Sequence, residues 1–348
     1  MKKKLSIHIG AGKCGSSAIQ AYLGRNSVTL QKQGILVPGE KLDLESNCTG
    51  NQIWFFQNGI SQPDFKSAVE RRIRRLHTSM VENELDHLIV SAENLINPDG
   101  FCLLFSELKP LFDIEILAYV RRQDDYLISA WQQWYLKYFD TFEDYVCSMG
   151  DRVDWFGALE SWRDIYGTEN IKVRVFEKDK MVNGNVIEDF CHLLSIDMTH
   201  TQIVNERVNR SLDEKFNKVA NKFRDELFES IHDNQFYQFL ADIYGESAFK
   251  QYSGSTELTL SQRMMLVDKY WDSNERLREK YISESSIPLG VFKKPTDADC
   301  RKRSVDILGD SELDYTLVGM FGMYKRLNKL LAAIDRPTVK NEVIEEIA

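Results

Sequence analysis

The chain has 348 residues, of which 43% are hydrophobic and 28% charged, a composition ordinary for a globular protein with a sizeable core. Its net charge of −9 argues against a general nucleic-acid binder, which normally shows a basic footprint. No run is apolar enough over a long enough stretch to predict a bilayer-spanning helix.

The first predicted element is a β-strand over residues 5–9 that breaks at Gly10 and Gly12. Lys13 lies in the turn, and small residues then open a helix predicted from Ser16 to about residue 33. A glycine-rich turn with a lysine at a helix N-terminus is an arrangement that binds phosphate or sulfate. The sequence therefore predicts a loop that binds an anionic nucleotide.

The spacing of this loop differs from that of a Walker A motif, in which the lysine directly follows the second glycine. Gly10 and Gly15 have the Walker separation, but Ser16 follows Gly15 and Lys13 precedes it. A P-loop kinase or NTPase therefore stays open only as an alternative, as does a glycine-rich turn that binds nothing.

A short strand that ends in a turn is predicted within residues 34–39, and a further strand within residues 86–95 ends in the carboxylate of Glu93. A positioned carboxylate can take the proton of an attacking hydroxyl. The alternative roles of Glu93 are a helix cap or a structural salt bridge.

The next predicted strand, residues 113–120, runs into Arg121 and then into a helix predicted over residues 124–139 that carries Ser129. The planar guanidinium of an arginine suits phosphate oxygens. A serine eight residues later reaches the same anion if the intervening loop folds back. The alternative is a surface arginine beside a helix.

Strands that alternate with helices predict an α/β fold with a parallel sheet, and residues 171–176 add a further strand. Ligands of such sheets bind at the carboxyl ends of the strands. Lys13, Glu93 and Arg121 each lie just past such an end, so we expect them to meet at one edge of the sheet.

Beyond residue 210 the chain is mostly helical, with long helices predicted over residues 258–281 and 313–334. We therefore divide it into an α/β core, residues 1–210, and a helical region, residues 211–348, packed on that core as one continuous structural unit. Ser211 is the predicted N-cap of the first helix of this region.

Two groups of aromatic residues are candidates for contact with a ligand. The first group lies on one helical face after Ser129 and consists of Trp131, Trp134, Tyr135 and Tyr138. Its default role is packing in the core, and the alternative is to line a ligand cleft. The second, residues 54–56 (Trp-Phe-Phe), interrupts a polar connection and is the other candidate for contact with a substrate.

The motifs together resemble the PAPS-dependent sulfotransferases, in particular bacterial enzymes that act on carbohydrates. Residues Lys13–Ser17 resemble the family's 5′-phosphosulfate loop, K-[TS]-G-[TS]-[TS], with Cys14 in place of the usual hydroxyl residue. Arg121 and Ser129 match the family's arginine and serine that hold the 3′-phosphate. Glu93 stands where branches of the family carry a catalytic His or Glu.

The resemblance implies a P-loop-like parallel sheet flanked by helices, with a mostly helical C-terminal extension. It also implies transfer of a sulfuryl group from PAPS to an acceptor hydroxyl, most simply on a carbohydrate or glycoconjugate, with PAP as product and no metal. Lys13 and Glu93 are the implied catalytic residues. The implied nucleotide-binding residues are Lys13, Cys14, Gly15, Ser16, Ser17, Arg121, Ser129, Arg207 and Arg210.

The last two of these belong to a segment that resembles R-x-N-x-S-L of bacterial sulfotransferases, and their cationic side chains suit the 3′-phosphate. The six cysteines are scattered, with no C-x-x-C and no histidine cluster, which argues against structural zinc and disulfides and favours a reducing cytoplasm. A non-catalytic relative that binds a nucleotide or a partner protein is the remaining alternative, and Cys14 is the residue that supports it.

Overall fold

The computed structural model of the chain describes residues 2–97, 100–203, 211–250, 254–282, 290–301 and 311–334. These residues form two compact units. The first unit lies within Met1–Leu127, Met149–Asn209 and Leu260–Pro295, and the second lies within Ile128–Ser148, Arg210–Thr259 and Thr296–Ala348.

The first unit contains a five-stranded sheet in which every neighbouring pair of strands is parallel. The strand order is β2-β3-β1-β4-β5. The strands are β1 (Lys3–His8), β2 (Ile35–Leu36), β3 (His87–Ser91), β4 (Phe112–Val120) and β5 (Ile171–Val175). This sheet confirms the predicted α/β fold.

The central strands are buried on both faces, which is the usual environment of a parallel sheet covered by helices. Ile7 of β1, Val90 of β3 and Ile116 of β4 have no exposed surface. Strands β3 and β4 are mostly apolar, as this burial requires, whereas β1 also buries the polar Ser6 and His8. The core of this unit therefore lies on both faces of the sheet.

Helices cover the sheet of the first unit. The single helix predicted from Ser16 to residue 33 is in fact two helices that meet at Asn26. The side-chain amide of Asn26 donates to the Tyr22 and Gln202 carbonyl oxygens and accepts from the Gln202 N–H. The helices are α1 (Ser16–Arg25), α2 (Ser27–Gln31), α3 (Ile53–Gly59), α4 (Phe65–Glu82), α5 (Gln123–Gln133, whose residues from Ile128 belong to the second unit), α7 (Trp155–Tyr166), α8 (Val186–Leu194), α12 (Leu260–Lys269) and α13 (Trp271–Tyr281), and residues Phe101–Leu108 form a 3₁₀ helix.

The second unit is helical in the residues that the structure describes, apart from isolated bridges. Its core includes Phe321 against the rings of Phe236 and Phe239. Its helices are α6 (Phe142–Met149), α9 (Glu214–Lys222), α10 (Arg224–Leu227), α11 (Gln235–Tyr244) and α14 (Ser311–Ile334).

The predicted N-cap at Ser211 is wrong, because α9 begins at Glu214 and Asp213 is its N-cap. The Asp213 carboxylate accepts a hydrogen bond from the Lys215 N–H. The Glu214 carboxylate accepts hydrogen bonds from the N–H and hydroxyl of Thr256. Across the described ranges, no helix is both long and apolar enough to cross a membrane.

Candidate functional site

The loop between β1 and α1 is held in a tight turn by two residues in the left-handed region. Lys13 has a φ of 65° and Gly15 a φ of 84°. A Cβ at Gly15 would lie 2.8 Å from the Phe176 ring and 2.9 Å from a Val186 methyl group, so only glycine fits. Gly15 is also the N-cap of α1 and has no side chain to cap it, which leaves the first turn open to an external anion.

Three strand ends meet at this loop, as the sequence predicts. Strand β1 lies between β3 and β4, so Lys13, Glu93 and Arg121 follow three neighbouring strands. The Arg121 guanidinium donates a hydrogen bond to the Lys13 carbonyl oxygen over 3.2 Å. The charges of Glu93 and Arg121 both act on the Lys13 ammonium group. Two cations and one carboxylate therefore share this edge of the sheet.

Burial, and after it the positive charge of Arg121, lower the pKa of Lys13 to about 8, against the opposite effect of the Glu93 charge. Lys13 still carries a charge at neutral pH, but it holds that charge in a poorly solvated place. An anion that binds there would relieve the unfavourable burial of the charge.

Burial raises the pKa of the Glu93 carboxyl above its ordinary value, while the Lys13 charge and a hydrogen bond from the Ser16 hydroxyl oppose the rise. A carboxylate with a raised pKa is a stronger base than an exposed one. Glu93 thus has the electrostatic property that a proton acceptor needs.

The Cys14 side chain is fully buried, and burial raises the pKa of its thiol to about 12. The thiol is therefore protonated and adds no negative charge to the loop. Ser16 is buried as well, and its hydroxyl lies 3.2 Å from the Ala11 carbonyl oxygen. Ser17 is half-buried and lines a cavity beside the loop.

His8, which sequence reasoning missed, lies beneath the loop with no exposed surface. Its Nδ1 is 2.8 Å from the Ser91 hydroxyl, and its Nε2 has no hydrogen-bond partner among the described residues. Burial lowers its pKa to about 4, so the ring is neutral. A Cβ at Gly10 would lie 2.6 Å from this Nε2, and glycine is therefore needed there. A polar residue inside an apolar strand was the signal that could have revealed it.

The two adjacent arginines have separate roles. Arg121 is half-buried, its guanidinium lies 5.8 Å from the centre of the Phe176 ring, and its carbonyl oxygen accepts from the Trp155 indole N–H. Arg122 is buried and forms an ion pair with Asp124 at 2.6 Å. Arg263 bonds the same carboxylate. Arg122 is thus part of a buried ion-pair cluster, and Arg121 is the arginine at the site.

Three other predicted residues are not placed with this group. Ser129 is half-buried on α5, in the stretch that belongs to the second unit. Arg207 and Arg210 lie outside the described residues. The described part of the chain contains no cluster of His, Cys, Asp or Glu side chains that could hold a metal ion.

Comparison with known proteins gives limited similarity. No family model matches the chain. An uncharacterized protein of Archaeoglobus fulgidus is 27% identical over 201 residues, which cover 56% of this chain and 54% of that protein, so the chain spans about half the length of the curated relative it matches. The crystal structure of a sulfotransferase from Alicyclobacillus acidocaldarius is 16% identical with a TM-score of 0.37, and the match covers 65% of this chain and 94% of the other. Because that score carries no functional argument, function must be derived from the site.

Proposed function

We propose that the chain transfers a sulfuryl group from PAPS to an acceptor hydroxyl and releases PAP and a sulfate ester. The observation that carries the proposal is the meeting of Lys13, Glu93 and Arg121 at a glycine-dependent loop on a helix N-terminus. A sulfotransferase needs hydrogen-bond donors for two anionic groups and a base. Lys13 and Arg121 offer the donors, and Glu93 offers the base.

The chemistry of the donors fits PAPS. Lys13 and the main-chain N–H groups of residues 15–17 would hold the 5′-phosphosulfate, because the open first turn of α1 favours an anion. Arg121 would hold the 3′-phosphate with its planar guanidinium. We assign Cys14 to the same loop through its backbone, and Ser129, Arg207 and Arg210 to the 3′-phosphate on the sequence pattern.

PAPS supplies the sulfuryl group and carries PAP as its leaving group. Glu93 accepts the proton of the acceptor hydroxyl, whose oxygen forms a bond to sulfur as the bond from sulfur to the bridging phosphate oxygen breaks. The electron pair of the broken bond remains on that oxygen, and the Lys13 charge stabilises it. As in phosphoryl transfer, positioning and electrostatics supply most of the rate.

The acceptor that we propose is a hydroxyl of a carbohydrate or glycoconjugate, and we propose a cytoplasmic enzyme of bacterial type. The alternatives are a kinase-like enzyme on the same sheet and a relative that binds a nucleotide without catalysis. The kinase-like alternative has Ser16 at the Walker lysine position.

Calorimetric titration of the wild type with PAP, ADP and ATP–Mg²⁺ separates these functions. We expect PAP to bind and ADP to bind weakly, since ADP lacks the 3′-phosphate. Binding of ATP–Mg²⁺ without binding of PAP would replace the sulfotransferase proposal by the kinase-like one. Transfer of ³⁵S from labelled PAPS to an acceptor then separates an enzyme from a non-catalytic relative.

A further inference from the structure

The first unit contains a cavity of about 850 Å³ beside the anion-binding loop. One wall is the face of α1 formed by Ser17, Gln20 and Ala21, which are neighbours at helical spacing. Other walls come from the connection before α3, from α3 and from α4. The volume lies in the range of about 300–1,000 Å³ that holds drug-sized ligands. Since Ser17 ends the loop motif, a molecule in this cavity lies next to the loop.

The wall that carries α3 is also tied to the strand that precedes Glu93. Gln52, 1% exposed, donates its backbone N–H to the Ser91 carbonyl oxygen at 3.0 Å, and its side-chain oxygen accepts from the Ser91 N–H at 2.9 Å. Trp54 follows Gln52 by two residues, and Glu93 follows Ser91 by two. This pair of hydrogen bonds therefore joins the segment that leads to the cavity wall at Trp54 to the strand that leads to the proposed base, Glu93.

Gln20 presents a buried polar group that the protein leaves unused. The residue is 4% exposed, and its side-chain Nε2 has no hydrogen-bond partner in the described ranges. A buried donor without a partner costs about 1–3 kcal/mol, so such a group calls for an explanation. Gln20 also lines the cavity, but its Nε2 has almost no accessible surface, so an oxygen of a bound ligand reaches this donor when the side chain turns toward the cavity.

The remaining lining indicates the ligand's chemistry. Trp54 is 56% exposed, and its ring offers the flat apolar surface on which a sugar face stacks. Amides supply both donors and acceptors for hydroxyl groups, and the cavity has four amide side chains, Gln20, Asn51, Asn58 and Gln62.

The charges at the cavity balance one another. Arg72 pairs with Asp43 at 3.0 Å and donates to the Lys41 carbonyl oxygen, and its guanidinium lies 5.3 Å from the centre of the Phe55 ring. The neighbouring side chains of Glu40 and Lys41 have opposite signs. An uncharged ligand suits this lining better than a polyanion.

We infer that this cavity binds the acceptor as an uncharged carbohydrate, with a sugar ring stacked on Trp54 and a hydroxyl oxygen bonded to Gln20. The assignment of this sugar as acceptor rests on the proposed function. The binding site itself rests on the cavity, the unpaired amide and the exposed indole.

Two variants test the site, and they differ in their effect on the fold. Trp54→Ala removes an exposed ring and leaves the core intact. Gln20→Met keeps the side-chain volume but removes the unpaired donor, so it should raise Tm while it weakens sugar binding. A merely structural Gln20 would lower Tm on replacement. Leu103→Ala is the matched control, because Leu103 is 52% exposed in the same unit and lies outside the cavity lining.

The measurement is saturation-transfer NMR and calorimetry with cellobiose, lactose and N,N′-diacetylchitobiose, alongside glucuronic acid and 1-hexanol. We expect at least one disaccharide to bind the wild type, with a Kd about tenfold weaker in Trp54→Ala and Gln20→Met and unchanged in Leu103→Ala. Failure of every disaccharide to bind, binding by the two cavity variants as tight as that of the wild type, or a preference for hexanol would overturn the inference. Titration of the same samples with PAP tests the proposed function separately, so either can fail alone.

Discussion

The guanidinium of Arg121 donates a hydrogen bond to the main-chain carbonyl oxygen of Lys13, with a nitrogen–oxygen distance of 3.2 Å. The bond joins residues that are 108 positions apart, and it brings the end of β4 onto the loop that follows β1. Arg121 also lowers the pKa of Lys13 through its positive charge. The two cations are held together against their repulsion, which favours a ligand that carries more than one negative group.

Replacement of Lys13 by alanine should lower kcat by about 10²–10³-fold, because the charge on the leaving oxygen loses its main stabilising group. Affinity for PAP should fall less, since the loop N–H groups remain. Steady-state kinetics and calorimetry measure the two effects. Equal losses in kcat and in PAP affinity would contradict the leaving-group role.

The same variant should not lower Tm. Lys13 buries a charge, which is unfavourable for the folded state, and alanine at the same φ of 65° removes that charge without relieving or adding backbone strain. A clear drop in Tm would mean that Lys13 supports the fold rather than the reaction.

Glu93→Gln should leave PAP binding nearly intact and lower transfer by about 10²–10⁴-fold, because the amide keeps the shape of the side chain but cannot accept the proton. Glu93→Asp is the control, since it retains a base at a shorter reach. A glutamine variant with a rate near that of the wild type would remove Glu93 as the base.

The affinity for PAP should depend on pH through Lys13. Its lowered pKa of about 8 means that the charge is present below that pH and is lost as the pH rises through it. PAP should therefore bind tightly below about pH 8 and progressively more weakly above it. In Lys13→Arg the guanidinium stays charged, so the weakening near pH 8 should disappear. An unchanged profile in that variant would assign the effect to another group.

Gly15→Ala should destabilise the protein by about 1–3 kcal/mol, because its φ of 84° is strained for alanine and the new methyl group would press on Phe176 and Val186. Gly100→Ala is a matched control with a φ of 80° and no described atom within 4 Å of the added Cβ. Thermal unfolding of both variants isolates the cost of the contact. Similar losses at both positions would show that the close packing at Gly15 contributes nothing.

The strand ends of the site could be predicted from the sequence because each buried strand is an apolar run that stops at a polar or glycine residue. Because Lys13, Glu93 and Arg121 each follow the carboxyl end of a strand, a parallel sheet places them at one of its edges, whatever the order of the strands. The order itself, with β1 between β3 and β4, depends on packing over long sequence separations and is not encoded in any local pattern.

Helix breaks and ion pairs were harder to predict. Residues 258–281 form two helices that meet at Tyr270, because apolar periodicity reports a buried face and continues across a break. The Tyr270 hydroxyl donates to the Gly150 carbonyl oxygen, a contact that no local sequence reveals. The Arg263–Asp124 pair likewise spans 139 positions. The roles of Ser129, Arg207 and Arg210 and the division at residue 210 stay predictions.

Binding of PAP, adenosine 5′-phosphate and adenosine 3′-phosphate to the wild type and to Arg121→Ala tests the central claim most directly, with Arg75→Ala, exposed on α4, as control. We expect the wild type to prefer PAP strongly over adenosine 5′-phosphate, and Arg121→Ala to lose about 10–150-fold in PAP affinity while its affinity for adenosine 5′-phosphate stays within about twofold. Equal losses for the two nucleotides would show that Arg121 only supports the loop, and a wild type without preference for PAP would contradict the sulfotransferase proposal.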